Sequence, residues 1–344
     1  MSRRDYSIAD ILEGISDQLD YEEVSEAVIE IEEYRKSTPA SKQKYIKTLN
    51  HLLKEQITLL IEETNEIKLP VISKGNKVNE SKVLLLSDWH LGQKSTKAGK
   101  ILFDKRLAKE KKDTLIKNVL EVIKYSEYQR NVDELVICLL GDMVENEIIF
   151  KGQTFRIEET VQDQIMSAAY IIQEALVTLE QLGIPMKIYC VPGNHGRTDN
   201  VSGSPSNWDT VLYNMLKMTN EARFKEMNKR TMEFHIADCD YLNIDVKGHP
   251  GYLRHILPSQ GQTPSARAKL GAWHSLHGYE WAAGGHWHVA QHYEWEGKEI
   301  FINGSLVGYN EFGESIGRVS PPRQWFFGVT EKRIPTDEWK IDLK

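Results

Sequence analysis

The sequence predicts an α/β fold, a strand–helix alternation preceded by a helical module and followed by a strand-rich stretch. Three observations lead there. Short apolar runs at 83–86, 135–140 and 186–191 have the length and composition of buried strands. Helix-length amphipathic segments separate them, as in a largely parallel sheet with helices on its face. Polar phrases able to ligate a metal follow these runs, where buried strands end.

In chain order, residues 1–68 read as helical. Ile8, Ile11, Leu12 and Ile15 have helical spacing after Ser7, a good cap. A Glu-rich helix over 21–36 is broken by Ser37-Thr38-Pro39. Another runs from Ser41 to about Ile67, with Leu49, Leu52, Leu53, Ile57, Leu60 and Ile61 in its apolar stripe. Residues 69–81 read as a linker, and 82–344 as a second, larger domain. Within it, Leu107–Tyr128 and Ile165–Gln181 are the expected helices, with Gly183 ending the second. Beyond Tyr241 the texture is strand-rich: 241–247, 289–295, 298–302 and 325–329, with a hairpin at Glu296-Gly297.

Composition narrows the function classes. At 344 residues the chain can bury one large core plus a small module. No apolar run reaches the roughly 18 residues of a membrane span, and the first residues lack a signal-peptide core. No membrane partner is therefore expected. Three cysteines without a spacing pattern fit reduced thiols and a cytoplasmic location. The net charge of -7 argues against coating nucleic acid by bulk electrostatics, though not against touching a few phosphates. Residues 1–80 hold 11 basic and 16 acidic residues, so most of the excess lies outside the motif-bearing part.

Five phrases carry the chemistry: Asp88-Trp89-His90, Gly141-Asp142, Gly193-Asn194-His195, Gly248-His249 and Gly285-His286-Trp287-His288. Each alone is weak. A surface Asp-x-His, a turn Asp, a Pro-Gly-Asn turn or a structural His are the bland alternatives. Together, in one order and mostly at strand ends, they suit two adjacent divalent cations. In an extended chain Asp88 and His90 would share a side. Asp142 can bridge two cations, and Asn194 offers a neutral amide oxygen. His195 then faces substrate, able to protonate a leaving oxygen. Glu145 can orient a neighbouring imidazole, and Arg197 can clamp a phosphate oxygen; a solvated Glu and a salt-bridged Arg are equally good readings. His255, His274 and His277 are assigned to the structural or surface class.

These phrases resemble the signature of the calcineurin-like metallophosphoesterase superfamily over residues 82 to about 330. Ser87-Asp88-Trp89-His90-Leu91-Gly92 is similar to the opening motif of SbcD-type DNA repair nucleases. Gly193–Arg197, Asn207-Trp208-Asp209 and Asn303–Gly308 resemble a bacteriophage SbcD-like branch. The resemblance implies a four-layer α/β/β/α sandwich. It implies one metal held by Asp88, His90, Asp142 and His288, another by Asp142, Asn194, His249 and His286, and His195 facing the scissile phosphate. It also implies manganese, with zinc, iron and magnesium as alternatives. Two departures stand out: Gly196 replaces the usual acid after Asn-His, and position 145 is Glu where Asp is commoner.

The expected function is phosphate-ester hydrolysis by in-line attack, with nucleic acid as the substrate of a phosphodiesterase or nuclease. Residues 249–288 support this with Arg254, Arg267 and Lys269 against Glu280 alone, and with Trp273, Tyr279, Trp281 and Trp287 as candidate base-stacking residues. The alternatives are a small-molecule phosphatase or cyclic- or dinucleotide phosphodiesterase, and a non-catalytic assembly subunit. The apolar stripes of residues 1–68 suit dimerisation or a partner subunit, or simple packing.

Overall fold

The computed structural model describes residues 77–199, 206–227, 231–309 and 319–344. They fall within one compact unit, Asn76–Lys344. The helical module expected over 1–68, its dimerisation role and the first part of the expected linker lie outside the described residues. The end of that linker is strand: β1 spans Val78–Leu86 and buries Glu80 and Ser81.

The fold is mixed α/β with two principal sheets. After β1 come a small ribbon, β2 (Ser95–Lys97) and β3 (Lys100–Phe103), helix α1 (Lys105–Ser126), β4 (Arg130–Leu139), α2 (Val161–Glu180), β5 (Met186–Cys190), α3 (Trp208–Met227) and β6 (Met232–Ile236). The second part holds β7 (Tyr241–Val246), β8 (His249–Arg254), α4 (Pro264–His277), β9 (Trp281–Gly284), β10 (Gln291–Trp295), β11 (Lys298–Ile302), β12 (Arg323–Val329) and β13 (Glu338–Asp342).

The six-stranded sheet runs β13-β12-β1-β4-β5-β6, and the five-stranded sheet β10-β11-β9-β8-β7. In the first, β1, β4, β5 and β6 are parallel and β12 returns antiparallel on β1. In the second, β8, β9 and β11 are parallel, with β7 and β10 as antiparallel edges. Parallel strands place their carboxyl ends together, the usual position of a site in such sheets.

The period-2 alternation of β1 explains the packing. Leu84 and Leu86 join a cluster with Leu115, Val119 and Ile123 of α1, Ile172 and Leu176 of α2, and Leu212 of α3. Val83 and Leu85 join another with Val136, Val246, Leu253, Trp281, Phe301 and Phe327, which ties the two sheets together. A third cluster holds Leu270 of α4 against Tyr252, Ala282, Ile300 and Ile302 on the second sheet's other face. The helices are capped as their sequences suggest: Asp104 accepts from the Leu107 amide, Thr160 from Asp163 and Thr263 from Ala266. Among the described residues no helix is long and apolar enough to cross a membrane.

Candidate metal centre

The segments leaving β1, β4, β5, β8 and β9 meet in one place. Asp88 and His90 follow β1, Asp142 follows β4, Asn194 and His195 follow β5, His255 follows β8, and His286 and His288 follow β9. Three groups of donor atoms result: Asp88, His90 and His288; Asp142, His255 and His286; and His90, Glu145 and His195. In each, all donor atoms lie within 4.8 Å of one another.

The backbone turns sharply to achieve this. Asp88, His90, Asp142, His286 and His288 all have φ between +45° and +74°. Left-handed non-glycine residues each cost on the order of 1–3 kcal/mol and concentrate at functional sites. Asp88 and His90 therefore converge through two left-handed residues, not through the extended chain expected for the Asp-x-His pair. Buried hydrogen bonds hold these turns. The Asp88 carbonyl accepts from Ser305 Oγ (2.8 Å) and the Leu306 amide (3.1 Å). Asn303 Nδ2 reaches the Leu85 carbonyl and Ser87 Oγ. The Asn303–Gly308 phrase is thus a brace for the Asp88 turn.

Asp209 does the same for the β4 and β5 turns, a role that sequence reasoning did not assign. Its carboxylate accepts the amides of Asp142 (2.9 Å), Met143 (3.1 Å) and Gly193 (2.9 Å). Burial, with the charge of Asp142, raises Asp209 to about 6. The two turns pack so closely that a Cβ on Gly193 would lie 2.1 Å from Asp142 Oδ1. At Gly196 a Cβ would lie 2.0 Å from Asn207 Oδ1. Asn207 is committed there, donating to the Gly193 carbonyl and accepting from the Asp209 amide. Position 196 has no room for the acid that is usual after Asn-His.

Hydrogen-bond roles fix which donor atoms face the pocket. Glu145 Oε2 lies 2.8 Å from His90 Nδ1, so Nδ1 donates and Nε2 is left facing His288 Nε2 at 3.0 Å. Burial and the nearby His195 lower the pKa of His90 and favour its neutral form. The Leu140 carbonyl fixes the proton of His255 on Nδ1 (2.7 Å), which turns Nε2 towards Asp142 Oδ2 and Asn194 Oδ1, each at 3.0 Å. Asn194 Oδ1 is also 2.7 Å from His286 Nδ1. Burial opposes charge on His255, yet Asp142 raises it to about 9. Burial alone would raise Asp142, but the imidazoles of His255, His195 and His90 hold it well below the usual carboxylate range. Several acceptors thus converge on a point that demands positive charge. Carboxylate, amide and imidazole donors without thiolate fit divalent cations of the manganese, iron or zinc type.

His195 sits beside the first group, its ring 4.5 Å from that of His90. Its amide donates to Asp142 Oδ1 (2.7 Å) and its Nδ1 to the Glu145 carbonyl (3.0 Å), with Glu145 Oε2 at 3.4 Å. Burial opposes a charge there, but Glu145 and Asp142 raise His195 to about 10. Arg197 donates from Nε to the Asn194 carbonyl (2.9 Å). Gln153, unmarked in the sequence, is buried against the same pair. Its Nε2 donates to the Glu145 carbonyl (2.5 Å) and lies 3.3 Å from His195 Nδ1.

One expected ligand is elsewhere. His249 opens β8 and is held by Glu280 Oε2 (2.7 Å) and the Thr330 carbonyl (2.9 Å). The strand ending at Val246 does not lead to the site; it turns through Lys247-Gly248 into β8, whose far end carries His255. Six residue steps along the strand separate the two histidines, about 20 Å. His255, assigned to the structural class, occupies the position expected of His249. The four residues proposed to stack on bases differ in setting: Trp287 packs on His286 and, like Trp273, is half-buried. Tyr279 and Trp281 are buried in apolar clusters, Trp287 Nε1 donates to the Leu257 carbonyl, and Trp273 lies under Arg254.

No family model and no curated protein sequence matches the chain. Among solved structures, an archaeal phosphodiesterase is similar at 14% identity, over 76% of this chain and 99% of that one, with a TM-score of 0.36. Vacuolar protein sorting 29 from Cryptosporidium parvum matches at 13% identity, over 73% and 86%, with a TM-score of 0.34. A predicted phosphoesterase from Streptococcus pneumoniae TIGR4 matches at 12% identity, over 76% and 98%, with a TM-score of 0.32.

Proposed function

We propose that the chain is a dinuclear metallophosphoesterase of four-layer α/β/β/α build that hydrolyses phosphodiesters of nucleic acid. The observation that carries this reading is the meeting of two acceptor clusters and one hydrogen-bonded imidazole at the ends of five strands from two sheets. Asp88, His90 and His288 would hold one cation. Asp142, Asn194, His255 and His286 would hold the other, with Asp142 shared. Divalent cations, manganese foremost, would supply Lewis acidity and neutralise the charge of the phosphoryl group.

The protein's own groups supply the rest. His195 keeps a proton on Nδ1 against the Glu145 carbonyl, which leaves Nε2 to give a proton to the departing ester oxygen. Water provides the attacking oxygen, the ester P–O bond breaks, and the proton lost by water restores Nε2. Glu145 serves two imidazoles, orienting His90 and sustaining the charge on His195. Arg197 makes no ion pair among the described residues, which leaves its guanidinium Nη groups for a phosphate oxygen. Nucleic acid as the substrate class rests on the resemblance carried by Ser87–Gly92 and by the Gly193–Arg197 phrase. The acidic segment 1–68 is proposed to dimerise or to dock a partner; removing it should reduce the number of copies per particle in solution, and an unchanged oligomer would count against dimerisation.

A substrate panel in manganese, zinc and magnesium tests the reading. It should hold a monoester, a generic diester, a cyclic nucleotide, and single- and double-stranded DNA and RNA. Cleavage of the generic diester and of nucleic acid, lost in Asp88→Asn, is expected. Hydrolysis of the monoester alone would sink it.

A further inference from the structure

The segment between Glu145 and α2 buries two amide side chains, Asn146 and Gln153, 2% and 3% exposed. Asn146 Nδ2 donates to the carbonyls of His195 and Arg197 (2.6 and 2.7 Å), and the Asn146 amide donates to Gln164 Oε1 (2.7 Å). Gln153 Oε1 accepts the amides of Ile149 and Phe150 (2.9 and 3.1 Å). Thr154 Oγ1 donates to the Glu147 carbonyl (2.9 Å). Ile149 is buried, but three large apolar side chains of the segment face out: Ile148 is 67% exposed, Phe150 42% and Phe155 93%. Exposed apolar side chains on a loop pinned by this many hydrogen bonds mark a contact surface, not slack chain.

The position of that surface decides its use. Phe150 packs on His195, with ring centroids 4.6 Å apart and 47° between planes. A group bound against the other side of Phe150 therefore sits one ring away from the proton-donating imidazole. We infer that Ile148, Phe150 and Phe155 form a subsite for a planar aromatic group carried on the phosphate ester, a nucleobase or an aryl substituent, with Phe150 as the stacking residue. This rests on the reading of the site as a phosphoesterase, and it moves base recognition from the 249–288 segment to the loop after β4. Base–aromatic stacking tolerates any base, because every base presents a π-face.

Equilibrium binding to the full-length chain separates this subsite from the chemistry. The probes are methyl phosphate, phenyl phosphate and thymidine 5′-monophosphate. The wild type should bind both aromatic phosphates about tenfold more tightly than methyl phosphate, a modest return for one stack. Phe150→Ala should bring the three within about twofold, Phe150→Trp should keep the preference, and Phe155→Ala should lose part of it. Equal binding of phenyl phosphate and thymidine 5′-monophosphate assigns the subsite to any aryl group, and tighter binding of the nucleotide assigns it to the base. If Phe150 only seats His195, Phe150→Ala weakens all three probes alike, and the subsite is wrong. It is equally wrong if the wild type shows no aromatic preference. Failure of hydrolysis in the substrate panel strikes the phosphoesterase reading instead, so the two can be told apart.

Discussion

The two ends of strand β1 bury charge in opposite ways. At its start, Glu80 and Lys82 are both 0% exposed and satisfy one another: Lys82 Nζ lies 2.9 Å from Glu80 Oε2 and 2.7 Å from Asp337, while Arg130 Nε reaches Glu80 at 3.1 Å. Each carboxylate there has its cation within the fold. At the other end, Asp88 and, beyond β4, Asp142 and Glu145 have no Lys or Arg partner among the described residues: their ionic neighbours are imidazoles, beside amide donors from His195, His286 and Gln153. A buried ion pair that closes on itself is structural. A buried excess of acceptors around a common point calls for a cation from outside. The same strand thus shows which kind of buried charge is architecture and which is a site.

The comparison breaks first at Asp142. Asp142→Asn keeps the shape but removes the charge on which His255 and the His195 amide both depend. Loss of bound metal and a fall in diester hydrolysis of about 10³-fold are expected. Elemental analysis alongside the rate measures both. Retained metal with a normal rate would remove Asp142 from the centre.

At the paired end the loss is in stability. Lys82→Met leaves Glu80 and Asp337 without their shared cation, and breaking a buried pair on one side costs about 3–5 kcal/mol. Thermal or urea unfolding should show it, while metal content per folded molecule stays at the wild-type level. If Lys82→Met loses metal at constant folding, the two ends are coupled and the contrast fails.

The histidines at the two ends of β8 sharpen the same contrast. His255→Ala should lower metal affinity by at least the 10- to 100-fold typical of an orienting group. His249→Ala should leave it unchanged, since His249 pairs with Glu280 and the Thr330 carbonyl. Metal titrations of the two variants, run together, reverse the assignment if the losses are reversed.

Those two histidines also show what the sequence could reveal. Strands β1, β4 and β5 are legible because a strand buried on both faces reads as a continuous apolar run. The ligands that follow them were legible for the same reason. Strand β8, His249-Pro250-Gly251-Tyr252-Leu253-Arg254, is hidden by Pro250 and Gly251, residues that usually argue against a strand with neighbours on both sides. Gly251 is there because a Cβ would lie 2.5 Å from the Trp281 ring on β9. With β8 unseen, the strand end fell at Lys247, and His249 took the place of His255. The remaining signal was Tyr252-Leu253, an apolar pair two residues before His255. Gln153 and Phe150 carried no signal, because their roles come from a loop closing over His195 and no periodicity encodes that.

The smallest expected effect lies at Glu145, and pH resolves it. Glu145 is driven down to about 2: burial opposes ionisation, but His195 and His90 outweigh it, so Glu145 is ionised across the working range. Its charge is one of the two that raise His195. A raised imidazole pKa keeps the proton-donating form present at low pH and loses it as pH climbs through that pKa. Glu145→Gln removes the raising charge, so the alkaline limb of the rate profile moves to lower pH. At the optimum, rates should fall about tenfold, below the usual range for losing an acid outright, because His195 and its Nδ1 contact to the backbone carbonyl remain. His90 loses a charged acceptor for a neutral one, so metal affinity should fall less than in His255→Ala. A limb that stays in place with metal content intact would mean that Glu145 serves His90 alone. The proton on His195 would then be held by Asp142 and the Glu145 carbonyl.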